Sequence, residues 1–183
     1  TRLQPRALGY REDVRDGFIV LLDGQGARVG ADCLGYTNED QLDPAGKYLY
    51  VNETFARCTS RFPVGDDGSL GRREVVAEYG HGTFPDGLCF DAEGGLWVTS
   101  IVSNRVIRIA PGGEQQVVLE DSEPNHLDWV EKAFSRGKLG RPHLDNVKSK
   151  TLKNISSLAF GGPDLKTIYL GCLLGDRVAT FRS

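Results

Sequence analysis

Two short, oxygen-bearing side chains, Asn38 and Asp86, stand 48 residues apart in matching surroundings. Each is followed four positions later by an apolar residue, Leu42 or Phe90, and five positions later by an aspartate, Asp43 or Asp91. A carboxylate and an amide carbonyl are hard donors, the set suited to Ca²⁺, Mg²⁺ or Mn²⁺, and carboxylate-rich sites also take Zn²⁺. The competing reading is that both residues cap turns, bonding the backbone two residues on. Pro85-Asp86-Gly87 is compatible with either: it is an everyday turn tripeptide, yet Gly87 also permits a close backbone approach and Pro85 fixes the entry.

A ligand role requires the two residues to meet, and a repeat would bring them together. A third copy of the pattern runs from Ser156 through Phe160 to Tyr169, as the first runs from Asn38 to Tyr50 and the second from Asp86 to Trp97. The 48-residue offset is close to the roughly 40 to 50 residues of a four-stranded propeller blade. Equivalent positions of successive blades lie side by side around one axis, so Asn38, Asp86 and Ser156 are expected to converge.

The predicted fold is all-β, a propeller of four-stranded antiparallel blades with one helical insertion. Residues 36–80 read as one blade, with strands at 38–43, 48–53, 58–64 and 74–79, and residues 84–120 as the next, with strands at 88–91, 96–100, 105–110 and 115–120. Turn clusters such as Gly65-Asp66-Asp67-Gly68 and Pro111-Gly112-Gly113 separate them. Two partial blades flank this pair, at 17–35 (strands 17–23 and 27–32) and at 154–183 (last strand 177–181).

Between them, residues 122–150 hold Leu127, Val130, Ala133 and Phe134 at helical spacing after Pro124 and before Gly137. Such an apolar stripe usually packs as core, which puts this helix on the rim; covering the pocket mouth is the alternative. Two full and two partial blades make an arc with open edges, which natural β proteins cover. With no methionine in the chain, the expectation is a piece of a longer protein, or an arc that self-association with a partner copy completes.

The 183 residues, 39% hydrophobic and 26% charged, suit one soluble domain. A net charge of −3 without a basic stripe excludes a nucleic-acid footprint, and no apolar run reaches membrane-spanning length. Cys33, Cys58, Cys89 and Cys172 lack a Cys-x-x-Cys spacing and fall within or beside strands. That favours buried free thiols in a reduced, cytoplasmic setting, although an even number leaves disulfides open. His81, between Gly80 and Gly82, lies five residues before Asp86 and is a candidate substrate contact, against the commoner reading of a lone surface histidine. His126 and His143, in the insertion, are weaker candidates.

The stretches Thr37-Asn38 with 43–51, 84–88 with 91–98, and Leu158-Ala159-Phe160-Gly161-Gly162-Pro163-Asp164-Leu165 with 167–170 resemble blades of the SMP-30/gluconolactonase family. The resemblance covers residues 17–183 apart from the insertion. It implies a six-bladed propeller with one divalent cation (Ca, Zn, Mg or Mn) in its central channel, hydrolysing a small-molecule lactone of a sugar acid or a related ester. By position, Asn38 corresponds to a metal-binding asparagine and Asp86 to a metal-binding aspartate that also acts as catalytic general base. Ser156 corresponds to a pocket-facing position and, with His81, is assigned to substrate binding. The family's ligating glutamate and further substrate contacts belong to blades this chain does not contain. A different hydrolase or lyase chemistry on the same scaffold, or a non-enzymatic binding propeller, are the alternatives.

Overall fold

A computed structural model describes residues 2–183. After a 3-10 turn at Arg6–Gly9, the strands β1 (Gly17–Asp23) and β2 (Gly26–Leu34) pair as a hairpin. Next come β3 (Thr37–Leu42), β4 (Tyr48–Glu53), β5 (Cys58–Pro63) and β6 (Glu74–Glu78), then β7 (Thr83–Phe90), β8 (Leu96–Val102), β9 (Arg105–Ile109) and β10 (Gln115–Glu120). Helices α1 (Pro124–Ser135) and α2 (Arg141–Asp145) precede β11 (Ile155–Gly161), β12 (Thr167–Cys172) and β13 (Ala179–Arg182). β3 to β6 and β7 to β10 form four-stranded sheets and β11 to β13 a three-stranded one, each in chain order and antiparallel.

The turns explain why the aspartates recur. Asp43 accepts hydrogen bonds from the backbone N–H of Lys47 and Tyr48 at 2.6 and 2.9 Å, and Asp91 does the same for Glu93 and Gly95 at 2.9 and 2.7 Å. Gly46 and Gly94 take the left-handed conformation that closes each turn. These are local braces that fix hairpin register, and they lie at the far end of the strand from Asn38 and Asp86.

The sheets pack side by side through their first strands, with β7 between β3 and β11. Leu88, Val98 and Ile107 bury against Ala77 and Tyr79 on one side of the β7 to β10 sheet, while Trp97 and Val106 bury against Leu158, Ile168 and Leu170 on the other. Covered on both faces, β8 is buried along its whole length. α1 starts with Glu123 accepting from the N–H of Asn125 and His126, and it docks Leu127, Val130 and Phe134 on Phe55, Phe84 and Ile101.

Three expectations need correcting. Strand β7 begins at Thr83 and not at Leu88, because side chains substitute for missing ladder bonds: Phe84 N–H donates to Ser100 Oγ and Gly87 N–H to Thr99 Oγ1. The insertion holds a second helix, α2, whose short length hides it from periodicity. Cys33 is exposed while Cys58 is buried; all four thiols are free.

Candidate active site

Each of the three innermost strands breaks register at the position singled out by the repeat. The ladder skips between Thr37 and Asp40, between Pro85 and Leu88, and between Ile155 and Ser157. Bulges of this kind re-aim a side chain out of the regular alternation. At the first two, the break turns Asn38 and Asp86 into one cavity of about 50 Å³, room for a few water molecules.

The bulge at Asp86 is built from buried polar groups. Asn52 Nδ2 donates to the carbonyls of Asp86 and Gly87 at 2.9 and 3.1 Å, and Asn52 Oδ1 in turn accepts from Thr59 Oγ1 at 2.6 Å. Gly87 is required by contact: a Cβ there would lie 2.6 Å from both Ser156 O and Ser157 Cα. The close approach anticipated at Gly87 is thus made by strand β11.

Asp86 itself is only 9% exposed. Burial pushes its pKa from an ordinary 3.8 up to about 7, with the Glu39 carboxylate adding to the rise and the Arg6 guanidinium opposing it. Glu39 is also shifted upward by burial, and its Oε2 accepts from Leu88 N–H at 3.1 Å. Asn38 donates from Nδ2 to Thr54 Oγ1 at 3.1 Å, which leaves Oδ1 as the atom able to serve as a ligand. This bond replaces the turn cap that was the competing reading for Asn38.

The remaining expected residues lie elsewhere. Ser156 occupies the third bulge, but only its backbone carbonyl faces Gly87, and it does not line the cavity. The side chain of His81 is 60% exposed and stands 3.7 Å from Asp128 of α1, also off the cavity. His126 and His143 serve the insertion: His126 Nε2 lies 3.1 Å from His143 O, and His143 stacks on Trp129 with ring centroids 4.1 Å apart.

Those contacts hold α2 where it matters, since Arg141, Leu144 and Asp145 line the cavity. In the insertion, α1 packs on the core and α2 forms pocket wall. Asn154 ties the wall down, accepting from Val102 N–H at 2.7 Å and donating to Leu144 O at 3.0 Å. Arg6 and Tyr36 complete the polar lining, with Arg6 Nε donating to the Tyr36 hydroxyl at 2.9 Å. None of these was legible as a site residue; for Asn154 the available signal was an asparagine beside the third repeat, consistent with its left-handed backbone.

The donor set fits a hard cation in part. A desolvated carboxylate and an amide oxygen face the same small cavity, but among the described residues no three His, Cys, Asp or Glu side chains gather around a point. Hard cations take about six or more oxygens, so this pair would supply two of them. Among the described residues, no helix is long and apolar enough to cross a membrane.

The family model for the SMP-30/Gluconolactonase/LRE-like region matches residues 8–122. A curated relative, 6-deoxy-6-sulfogluconolactonase of Pseudomonas putida, is 27% identical over 173 residues, which is 93% of this chain and 47% of that protein. The chain thus spans about half the length of the curated relative it matches. Among solved structures, the calcium-binding protein regucalcin of Agrobacterium tumefaciens strain C58 superposes with a TM-score of 0.61 at 19% identity, over 90% of this chain and 48% of that one. A gluconolactonase of Xanthomonas campestris gives 0.57 at 20% identity, over 87% and 42%. At such identities the two structures speak to the fold alone. With well over half of its residues matched by the family model, the chain belongs to the SMP-30/gluconolactonase/LRE-like family.

Proposed function

We propose that this chain forms part of a propeller-type, metal-dependent lactonase, and that Asp86 and Asn38 are its contribution to the ion site. One observation carries the reading: side chains 48 residues apart in the sequence are turned by matching bulges into one cavity, and the carboxylate among them is buried at a cost. Structural carboxylates are usually given donors when buried, so an isolated one is a candidate for function. The gluconolactonase names among the relatives agree with it.

Asp86 and Asn38 would hold the ion through carboxylate and amide oxygens, with the rest of the shell coming from water and from groups outside the four sheets. A divalent ion, when bound, supplies polarisation of an ester carbonyl and acidifies water. Asp86 performs the proton transfer. Its carboxylate accepts a proton from the attacking water, whose oxygen bonds to the lactone carbonyl carbon; the ring C–O bond breaks and the departing alkoxide takes the proton back. Thr54 keeps Asn38 oriented, and Asn52 fixes the backbone on which Asp86 rides. Four unpaired thiols are in keeping with a reducing, cytoplasmic setting.

Calorimetric titration with Ca²⁺, Mn²⁺, Zn²⁺ and Mg²⁺, alongside a pH-stat assay of sugar-acid lactone opening, tests the reading. Asp86→Asn keeps the shape and removes the charge, so it should abolish both signals while the fold survives. Ion binding that is unchanged in Asp86→Asn would remove the metal site.

A further inference from the structure

We propose that residues 2–16 form a strap that closes this pocket through Arg6 and Tyr10, and that the closed strap and a divalent ion at Asp86 oppose each other. The inference rests on the lactonase reading for what has to enter, while the closure itself follows from size and contacts. A cavity of about 50 Å³ holds a few water molecules, whereas sites for small molecules run to roughly 300 to 1,000 Å³. A sugar lactone therefore enters only if part of the wall moves aside.

Two segments outside the sheets supply wall, and they are held differently. Helix α2 is tied to the sheets by the buried Asn154, which accepts from Val102 N–H and donates to Leu144 O. The lead segment is fixed at its root, where Leu3 N–H donates to Asp16 O at 3.2 Å and Arg2 pairs with the Asp16 carboxylate at 2.7 Å. Beyond that root, residues 3–8 are all exposed, with Leu3 and Leu8 among them. A stretch that buries so little opens at small cost.

Tyr36 is the latch on its far part. It accepts from Arg6 Nε at 2.9 Å, carries the Arg2 guanidinium 4.4 Å from its ring centroid, and meets the Tyr10 ring at 5.8 Å. Tyr10 is the buried end of the strap, wedged on Phe55 with ring centroids 5.0 Å apart.

Charge makes this closure sensitive to ions. Of the two arginines in the lining, Arg141 is paired with Asp145 at 2.6 Å, and Arg6 is the one whose charge attracts the Asp86 carboxylate. Arg6 thus supplies at the pocket the positive charge that a cation would bring. A divalent ion held by Asp86 would replace that attraction with repulsion of Arg6, so uptake of the ion loosens the strap. By linkage the closed strap weakens the ion to the same degree.

Hydrogen exchange of the strap amides and calorimetric titration with Ca²⁺ test this on the whole chain, and neither needs turnover. Without added divalent ions, Tyr36→Phe removes the hydroxyl that holds Arg6 and keeps the ring, so exchange in the strap should quicken by about threefold or more while β8 is unaffected. An unchanged strap rate overturns the latch. Arg6→Gln should tighten Ca²⁺ binding by about threefold to tenfold, and Arg6→Lys, which keeps the charge, should stay near wild type. Saturating Ca²⁺ should quicken strap exchange in the wild type. Equal or weaker Ca²⁺ affinity in Arg6→Gln, or strap exchange that slows when Ca²⁺ is bound, overturns the opposition between strap and ion. Absence of Ca²⁺ uptake in wild type and Arg6→Gln alike overturns that opposition together with the metal site, while faster strap exchange in Tyr36→Phe still supports the closure.

Discussion

Glu53, the last residue of β4, and Asp86, within β7, are both buried carboxylates, and the chain treats them in opposite ways. Glu53, with no exposed surface, receives Gly35 N–H at 2.6 Å, the Ser60 hydroxyl at 2.5 Å and the Arg73 guanidinium at 2.5 Å. Asp86 is nearly as deep, but the charges that bear on it are a repelling Glu39 and an attracting Arg6, with no hydrogen-bond donor to its carboxylate among the described residues. The first is a fully satisfied structural pin joining the turn after β2 to β4 and β5; the second keeps its lone pairs available to a ligand. The difference teaches that burial alone does not single out a candidate functional acid, whereas burial without donors does.

Removing each carboxylate should therefore move stability in opposite directions, by comparable amounts. Glu53→Ala leaves a buried N–H and a hydroxyl without their acceptor and frees Arg73, so unfolding free energy should fall by about 3 kcal/mol. Chemical denaturation read as a lowered midpoint checks it, and an unshifted midpoint would dissolve the contrast.

Asp86→Asn should raise stability, by roughly 2 to 4 kcal/mol at pH 8 in the absence of divalent ions. The folded-state pKa of Asp86 is raised, from 3.8 to about 7. The native protein thus binds more protons than the unfolded chain across that interval, and its stability declines as pH climbs from about 4 through 7. The asparagine variant lacks this decline. Thermal melts of both proteins from pH 4 to 8 should converge at the acid end and separate at the basic end; parallel curves would show that Asp86 bears no such burden.

The repeat made the sheets and the pairing of Asn38 with Asp86 legible, because strand alternation, turn glycines and the recurring aspartates are local signals that survive in one dimension. Of the other expected positions, Ser156 and His81 do not line this cavity, and for Ser156 equal sequence position does not fix which atom of a bulge faces it. Arg6, Arg141 and Asn154 were hidden for a different reason. They come from an unpatterned lead segment, a five-residue helix and a left-handed linker, and their meeting at one cavity depends on tertiary contacts such as Trp129 on His143 and Asn154 on Leu144. Strand boundaries erred where side chains replaced backbone partners, as at Phe84 and Gly87.

Gly87→Ala probes the packing that holds the Asp86 bulge, independently of charge. Its new methyl would press on the backbone of Ser156 and Ser157, which belongs to a strand and cannot turn aside. A loss of about 1 to 3 kcal/mol is expected, together with weaker ion binding because the bulge must shift. Stability lost while ion affinity stays intact would show that the Asp86 side chain is positioned independently of this contact.

Asn38→Ala should give the smallest change, and its smallness is what makes it informative. Asn38 sits on β3, most of which is exposed, and its single side-chain hydrogen bond to Thr54 is a partly buried, neutral one. Such a bond contributes about 0.5 to 1 kcal/mol, so the midpoint of unfolding should hardly move and the pH dependence set by Asp86 should persist. Ion affinity, by contrast, should drop measurably, though less than in Asp86→Asn, because a neutral amide oxygen is a weaker donor than a carboxylate. An affinity loss in Asn38→Ala equal to that in Asp86→Asn would mean that the two oxygens act as one unit. No loss at all would reassign Asn38 to holding Thr54 and leave Asp86 as the sole ligand from these sheets.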